Sequence, residues 1–285
     1  MNKNVATVIV THNRLNDLKK CINSVRQQSI QCHDIIVVNN GSTDGTKEYL
    51  DTQSDLIVIN QDNLGGSGGF YSGQKYMFDN GYEWLWMMDD DGITDINQLK
   101  NLLDYYQTSG RKFLNALVAS VENPRMMAFY KDKEIAEYQS SEIWEGDIHP
   151  FNGTFIHRSI IEKVGFIKKE MFIWGDEQEY KLRIKKAGYI PTTVTHAVHY
   201  HPKEKGIWAI VWPGWINEKI LTKPQKLSKY YYRNLGYINK TYLRTYPRLC
   251  KDVRHYMLYF LRTFQLGELF KFLYFYNKGI NNNYN

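Results

Sequence analysis

Glu83-Trp84-Leu85-Trp86-Met87-Met88-Asp89-Asp90-Asp91-Gly92 decides how this chain folds. Five large apolar residues run into three carboxylates and a glycine. An apolar run that short, closed by a turn signal, reads as a buried strand of a parallel sheet. Its C-terminal end is where open α/β sheets bind their ligands. If extended geometry persists, Asp89 and Asp91 point the same way and Asp90 points elsewhere. Two carboxylates so placed can share one hard cation. Three adjacent carboxylates also repel one another, and a bound divalent ion makes the arrangement tolerable. A solvated acidic turn uses the same residue types, so the surrounding chain has to decide.

Upstream, one pattern recurs. Val5 to Val10 reads as a strand ending in the polar loop Thr11-His12-Asn13-Arg14, and Leu15 to Gln28 has helical spacing with Leu18, Ile22 and Val25 on one face. Asp34 to Val38 is a second buried strand, closed by Asn39-Asn40-Gly41-Ser42-Thr43-Asp44-Gly45-Thr46, with a helix opening near Lys47. Leu56 to Ile59 is a third, followed by Asn60-Gln61-Asp62-Asn63-Leu64-Gly65-Gly66-Ser67-Gly68-Gly69-Phe70 and a helix from about Tyr71 to Asn80. Strand and helix alternating through short loops predict an α/β fold with a doubly wound, mainly parallel sheet. The strand ends suit a nucleotide. Thr11 and Asn13, with Arg14 beside them, offer hydrogen bonds at the first, and Asn39 stands at the second where a ribose or base could bind. At the third, Asn63, Gly65, Gly66 and Gly69 let backbone amides approach a diphosphate and lead into a helix N-terminus. No Gly-Lys-Ser/Thr follows, so this is not a Walker A loop. Nor does it follow the first strand, as the dinucleotide fingerprint does.

Thr7-Val8-Ile9-Val10-Thr11-His12-Asn13-Arg14, Val37-Val38-Asn39-Asn40-Gly41-Ser42-Thr43-Asp44-Gly45-Thr46, the Asn63–Phe70 stretch and Asp89-Asp90-Asp91-Gly92 appear in that order. Together they resemble the family 2 glycosyltransferases. The Asn-Leu-Gly-Gly-Ser-Gly-Gly-Phe form is similar to that family's galactofuranosyltransferase and rhamnosyltransferase branch. The resemblance spans roughly residues 5–205. It implies a GT-A-type, Rossmann-like sheet that binds a nucleotide sugar, with Asp89 and Asp90 turned to the donor. By the same resemblance Asp89 and Asp91 hold Mn2+ or Mg2+ on the sugar diphosphate. Asn39 stands where the family usually has Asp, which implies neutral hydrogen bonding to the base or ribose. The expected layout is a catalytic domain over 1–207, split into a nucleotide-sugar half (1–95) and an acceptor half (96–207), and a helical extension over 208–285.

Phe113 to Val121 reads as another strand, and Ile143 to Pro150 as a loop delivering Phe151-Asn152-Gly153-Thr154-Phe155-Ile156. The resemblance sets Asn152 and Gly153 beside the acceptor; a strand edge with a bulge would use the same residues. Met171-Phe172-Ile173-Trp174-Gly175-Asp176-Glu177-Gln178-Glu179-Tyr180 then enters the helical Lys181–Ala187. An inverting sugar transfer needs one carboxylate in reach of the acceptor hydroxyl, and a carboxylate at a helix N-terminus is well held by backbone amides. Asp176, Glu177 and Glu179 qualify by type, although plain charge complementarity with the helix would also account for them. By resemblance the base is Glu177, with Asp176 binding the acceptor beside it and standing as the alternative base. Trp174 could stack on a sugar face or belong to the core. In Thr193-Val194-Thr195-His196-Ala197-Val198-His199-Tyr200-His201-Pro202, His199 and His201 share one face of a strand, and either could complete a cation site. The family supplies one His after the base helix, which favours His201, with His199 as the alternative.

Composition bounds the rest. The 285 residues are 43% apolar and 23% charged, as in an ordinary globular chain, and 22 Tyr and 7 Trp favour stacking surfaces. Three scattered cysteines are too few for a disulfide framework or a zinc site, which fits a reducing, cytoplasmic setting. Val5–Val10 lacks the basic prelude and cleavage site of a signal peptide. No window reaches the roughly 18 to 20 apolar residues of a membrane span. From Ile220 onward, twelve Lys and Arg face only Asp252 and Glu268, so this tail carries +10 and the preceding chain −4. There basic residues interleave with Trp208, Trp212, Trp215, Tyr230–Tyr232 and the aromatics from Tyr256 to Phe275. Basic amphipathic helices lie on anionic bilayers; a helical pair packed on the sheet domain is the other reading. No nucleic-acid module is present, so no nucleic-acid partner is expected. The expectation is an inverting, metal-dependent transferase at the inner face of a bacterial membrane. Its donor is UDP-galactofuranose, or alternatively dTDP-rhamnose, and its acceptor a lipid-linked glycan of a surface polysaccharide. A non-catalytic nucleotide-sugar-binding protein is the alternative of a different class, against which the two acidic motifs argue.

Overall fold

A computed structural model describes residues 5–129, 133–146, 148–203, 206–243 and 246–285, with side chains 246–249 left aside. The chain divides into two compact units, Met1–Lys169 with Tyr180–Glu204, and Glu170–Glu179 with Lys205–Asn285.

The first unit begins with β1 (Val5–Thr11), α1 (Leu15–Arg26), β2 (Asp34–Asn40), α2 (Thr46–Asp51), β3 (Leu56–Gln61), α3 (Gly65–Asp79) and β4 (Trp84–Asp89). It continues through β5 (Ile93–Thr94), α4 (Gln98–Ser109), β6 (Phe113–Ser120), α5 (Ile135–Gln139), β7 (Ile143–Glu145), β8 (Asn152–His157) and α6 (Arg158–Val164). The division between the units falls inside α7 (Asp176–Lys186), and β9 (Thr192–His201) closes the sheet. The strand order is β3-β2-β1-β4-β8-β6-β9-β5, with β7 pairing β9. The first four strands are parallel to one another, β6 and β9 are parallel, and β8 runs antiparallel to both β4 and β6. The sheet is therefore mixed, and parallel where it was read as nucleotide-binding.

The apolar run of β4 builds both sides of the core because side chains alternate across a strand. Trp84, Trp86 and Met88 join Ile9 and the α1 residues Leu18, Ile22 and Val25 on one face. Leu85 and Met87 join Val8, Val10 and Phe70 on the other, together with Tyr180 and Ile184 of α7. Three elements differ from the sequence reading. The helix expected from about Tyr71 starts at Gly65, so the glycine run forms its first turns. Poor helix propensity there is overridden by close packing on β1. The stretch expected as loop over Ile143 to Pro150 contains β7, an edge strand on β9. The two-residue β5 left no pattern in the sequence, since it is too short for one.

In the second unit an antiparallel hairpin, β10 (Ile207–Trp212) and β11 (Ile216–Thr222), precedes α8 (Ser228–Ile238), a π-helical turn (Asn239–Leu243), α9 (Tyr246–Arg262) and α10 (Leu266–Ile280). The hairpin was not anticipated in an extension read as helical. An aromatic core of Tyr232, Tyr256, Phe260, Phe272 and Tyr276 joins these elements. Glu268, buried in that core, accepts hydrogen bonds from Ser228, Tyr232 and Lys271, which satisfies its charge. Among the described residues no helix is long and apolar enough to cross a membrane.

Candidate active site

The three carboxylates leave β4 as a turn, Gly92 N donating to Asp89 O at 3.3 Å. The turn feeds β5, which pairs antiparallel with the end of β9 and sets Ile93 opposite Tyr200. That pairing carries His201 to the acidic turn. Ligand atoms of Asp89, Asp91 and His201 all lie within 4.8 Å of one another, the one such group of a metal-binding kind among the described residues. His201 Nε2 stands 3.2 Å from Asp91 Oδ1. Its Nδ1 lies 2.7 Å from Pro202 O, so Nδ1 carries the proton that the carbonyl accepts, and Nε2 faces the carboxylates. Two oxygens and one imidazole nitrogen suit a hard or borderline divalent ion. The alternative ligand His199 is not in the group. It is fully buried, with Nδ1 3.3 Å from Gln98 Oε1.

Electrostatics of the turn fit a cation. Burial, then the Asp91 charge, raises the Asp89 carboxyl to about 8, against the pull of His201 and Arg14. Burial also raises Asp90, to about 6, although Thr11 and Arg14 work the other way. Burial pushes Asp91 up too, but hydrogen bonding and charge from His201, with Arg14, hold it below the ordinary carboxylate value. Burial lowers His201, and Asp91 more than restores it, leaving it raised. A positive charge beside Asp91 is thus already favoured, and a divalent ion would supply one.

The remaining donor candidates form a polar web along the ends of β1 to β3. Thr11 Oγ1 donates to Asp90 Oδ2 at 2.7 Å, which turns Asp90 away from its neighbours as the alternation required. Arg14 Nη1 bridges Asp90 (3.2 Å) and Asp91 (2.6 Å) with half its side chain exposed. Asn39 is buried, its Nδ2 on Asn60 Oδ1 and its Oδ1 on Ser42 N. Asn13 takes φ 54° and accepts from Thr43 N. Asn63 caps Gly65 N. Sequence reasoning passed over His12, whose Nδ1 meets Asn40 O at 2.9 Å and whose Nε2 meets Asn63 Nδ2 at 3.2 Å. It also missed Phe129, whose ring lies 5.2 Å from that of His201 and stacks on His149 at 4.5 Å. Neither contact has a local signal, because each joins segments far apart in the chain. Gly65 and Gly66 open α3, while Gly69 lies against Val10 of β1.

Asn152 and Gly153 lie at a bulge of β8 against β4, where Met87 pairs Thr154 and Met88 pairs Asn152. Asn152 Nδ2 donates to Pro150 O, and Gly153 has φ 73°. In the second unit, Phe172, Trp174 and Gly175 have φ of 67°, 60° and 102° immediately before α7. Asp176 and Glu179 are buried, while the half-buried Glu177 accepts Gly175 N through Oε2 at 3.0 Å. Lys223 Nζ lies 4.8 Å from the Trp174 ring centroid.

The structure of a mannosyltransferase from Pyrobaculum calidifontis, solved with GDP-mannose and Mn2+, superimposes with a TM-score of 0.55 at 14% identity. The match covers 82% of this chain and 62% of that one. The sheet topology and this likeness define a GT-A-like fold. More particularly, residues 7–164 match the profile of glycosyl transferase family 2, and the chain belongs to that family. Galactofuranosyltransferase GlfT1 of Mycobacterium tuberculosis is 27% identical over 252 residues, 84% of this chain and 83% of that protein. The dTDP-rhamnosyl transferase RfbF of Shigella flexneri is 25% identical over 222 residues, 74% of this chain and 70% of that protein. The protein is a glycosyltransferase enzyme of the branch these relatives represent.

Proposed function

We propose that this enzyme is an inverting, metal-dependent galactofuranosyltransferase that uses UDP-galactofuranose and a lipid-linked glycan of a bacterial surface polysaccharide. The observation that carries the reading is the Asp89–Asp91–His201 group at the end of β4. These three residues would hold Mn2+ or Mg2+, whose charge supplies the neutralisation that a departing diphosphate needs. Arg14 balances Asp90 and Asp91, and Thr11 fixes Asp90, so contacts from the end of β1 hold the turn. Glu177 takes the acceptor hydroxyl's proton as that oxygen attacks the anomeric carbon, and Asp176 is the alternative base. Thr11, Asn13, Arg14, Asn39, Asn63, Gly65, Gly66 and Gly69, with Asp89 and Asp90, form the donor side; Asn152, Gly153 and Trp174 form the acceptor side. The relatives named for galactofuranose support the donor, and RfbF supports dTDP-rhamnose as the second reading.

A lipid-linked acceptor places the enzyme at the inner face of the cell membrane. Exposed Trp208, Trp215, Leu266, Phe270 and Tyr274, with Phe264 90% exposed, lie on a unit rich in Lys and Arg and support contact with an anionic bilayer. The test is release of nucleoside diphosphate from a panel of nucleotide sugars, with and without Mn2+, in the presence of lipid-linked acceptor. Mn2+-dependent UDP release from UDP-galactofuranose, lost in Asp91→Ala, is the expected result, with an inverted anomeric centre in the product. Wild-type turnover by Asp91→Ala would sink the metal assignment. Release from dTDP-rhamnose alone would keep the mechanism and change the donor.

A further inference from the structure

The segment 170–175 reaches α7 through a backbone that L-residues avoid. Phe172 and Trp174 both lie in the left-handed region, next to Gly175 at φ 102°. Such a run persists only where its surroundings over-determine it. What over-determines it is a pair of adjacent residues on α8. Asn234 Nδ2 donates to Met171 O at 2.9 Å, Ile173 O at 3.1 Å and Trp174 O at 2.8 Å, two N–H groups serving three carbonyls. Arg233 Nη2 donates to Glu170 O at 2.7 Å. Asn234 is fully buried, and its Oδ1 has no hydrogen-bond partner among the described residues, so the side chain is fixed by the donations it makes to this loop. A Cβ on Gly175 would approach Asn234 Cβ to 3.3 Å and Ile238 Cδ1 to 3.2 Å, so α8 also limits what can stand at the turn. The next residues are Asp176 and Glu177, and the Glu177 carboxylate is itself tied to Gly175 N.

We infer that Asn234 is a positioning residue for the reaction: through the carbonyls of Met171, Ile173 and Trp174 it holds the Asp176–Glu177 pair in the geometry that accepts the acceptor's proton. The inference rests on the reading of that pair as the base. Asn234 makes no contact with substrate in this account. Loosening the loop displaces a proton acceptor that must lie within hydrogen-bond reach of its target, and a displacement of about 1 Å costs on the order of 100-fold in rate.

The experiment is a double-mutant cycle on the full-length enzyme. Asn234→Ala should lower kcat for transfer on the order of 100-fold and move the pH profile of kcat, while donor binding stays at the wild-type value. In an enzyme already lacking its base, Glu177→Gln or Asp176→Asn, whichever lowers transfer more while leaving a measurable residual rate, adding Asn234→Ala should cost less than about 2-fold more, because coupled residues do not add. Asn234→Asp keeps the volume and removes the donors, so it should reproduce the loss if the alanine variant does not fold. Multiplicative losses, or a reduced kcat with an unmoved pH profile, would overturn positioning in favour of a purely structural role. Full transfer by both Glu177→Gln and Asp176→Asn would instead overturn the base reading itself.

Discussion

Gly69→Ala should destabilise the first unit, and Gly66→Ala should not, although both lie in the same glycine run. A methyl on Gly69 would stand 2.4 Å from Val10 Cγ1 and 3.3 Å from Cγ2, where ordinary contact begins at 3.4 Å. Val10 cannot yield. It is buried in β1 between Val38 and Asp89, and its β-branched side chain has little χ1 freedom. The helix α3 must therefore lift off β1, and overpacking of this kind costs about 1–3 kcal/mol. Replacing glycine inside a helix returns about 1 kcal/mol of propensity, so the net loss at Gly69 is about 0–2 kcal/mol. At Gly66 no atom of the described residues lies within 4 Å of the added methyl, which leaves only the propensity gain, reduced at a first turn. With about half the propensity gain kept at Gly66, the two variants should differ by about 0.5–2.5 kcal/mol, or roughly 1–10 °C in midpoint at 2–4 °C per kcal/mol for a unit of this size. Thermal unfolding followed by Trp fluorescence reports it, since Trp84 and Trp86 lie in the core of the same sheet. Donor affinity measured in parallel separates the roles. Gly66→Ala should weaken it and Gly69→Ala, once folded, should weaken it less. Equal midpoints for the two variants would refute the packing account.

Binding of Mn2+ should be proton-linked, because a cation needs carboxylates and the Asp89 carboxyl, raised to about 8 mainly by burial, is protonated over most molecules at pH 7. Calorimetry in buffers of different ionisation enthalpy should find about one proton released from Asp89 at pH 7, with more from His201 at lower pH. Affinity should rise with pH and level off above about 8; an affinity flat from pH 6 to 9 would remove the cluster as the site. For the membrane surface, Phe264→Ser combined with Phe270→Ser should reduce cosedimentation with anionic vesicles at least 10-fold, while turnover on a short soluble acceptor is unchanged. Undiminished cosedimentation would reassign the basic aromatic unit to another partner.

What could be read from the sequence and what could not divide along a physical line. The β4 run, the carboxylates after it and the acidic first turn of α7 were legible because each is a local pattern: alternation within one strand, or charge at one helix terminus. The choice of His201 over His199 was not settled there, because both occupy one strand at alternate positions. It depends on the register shift of β9, where Ala116 pairs Val194 but Leu117 pairs Val198, and on β5, two residues that leave no periodicity. The packing of Gly69 left no sign in the sequence because its spatial neighbour, Val10, lies 59 positions away. Asn234 carries no local signal, since its amide is spent on carbonyls some 60 residues earlier. The three carboxylates after β4 are adjacent in sequence because one turn presents them together. The residues that hold the turn come from elsewhere in the fold, where only hydrogen-bond accounting finds them.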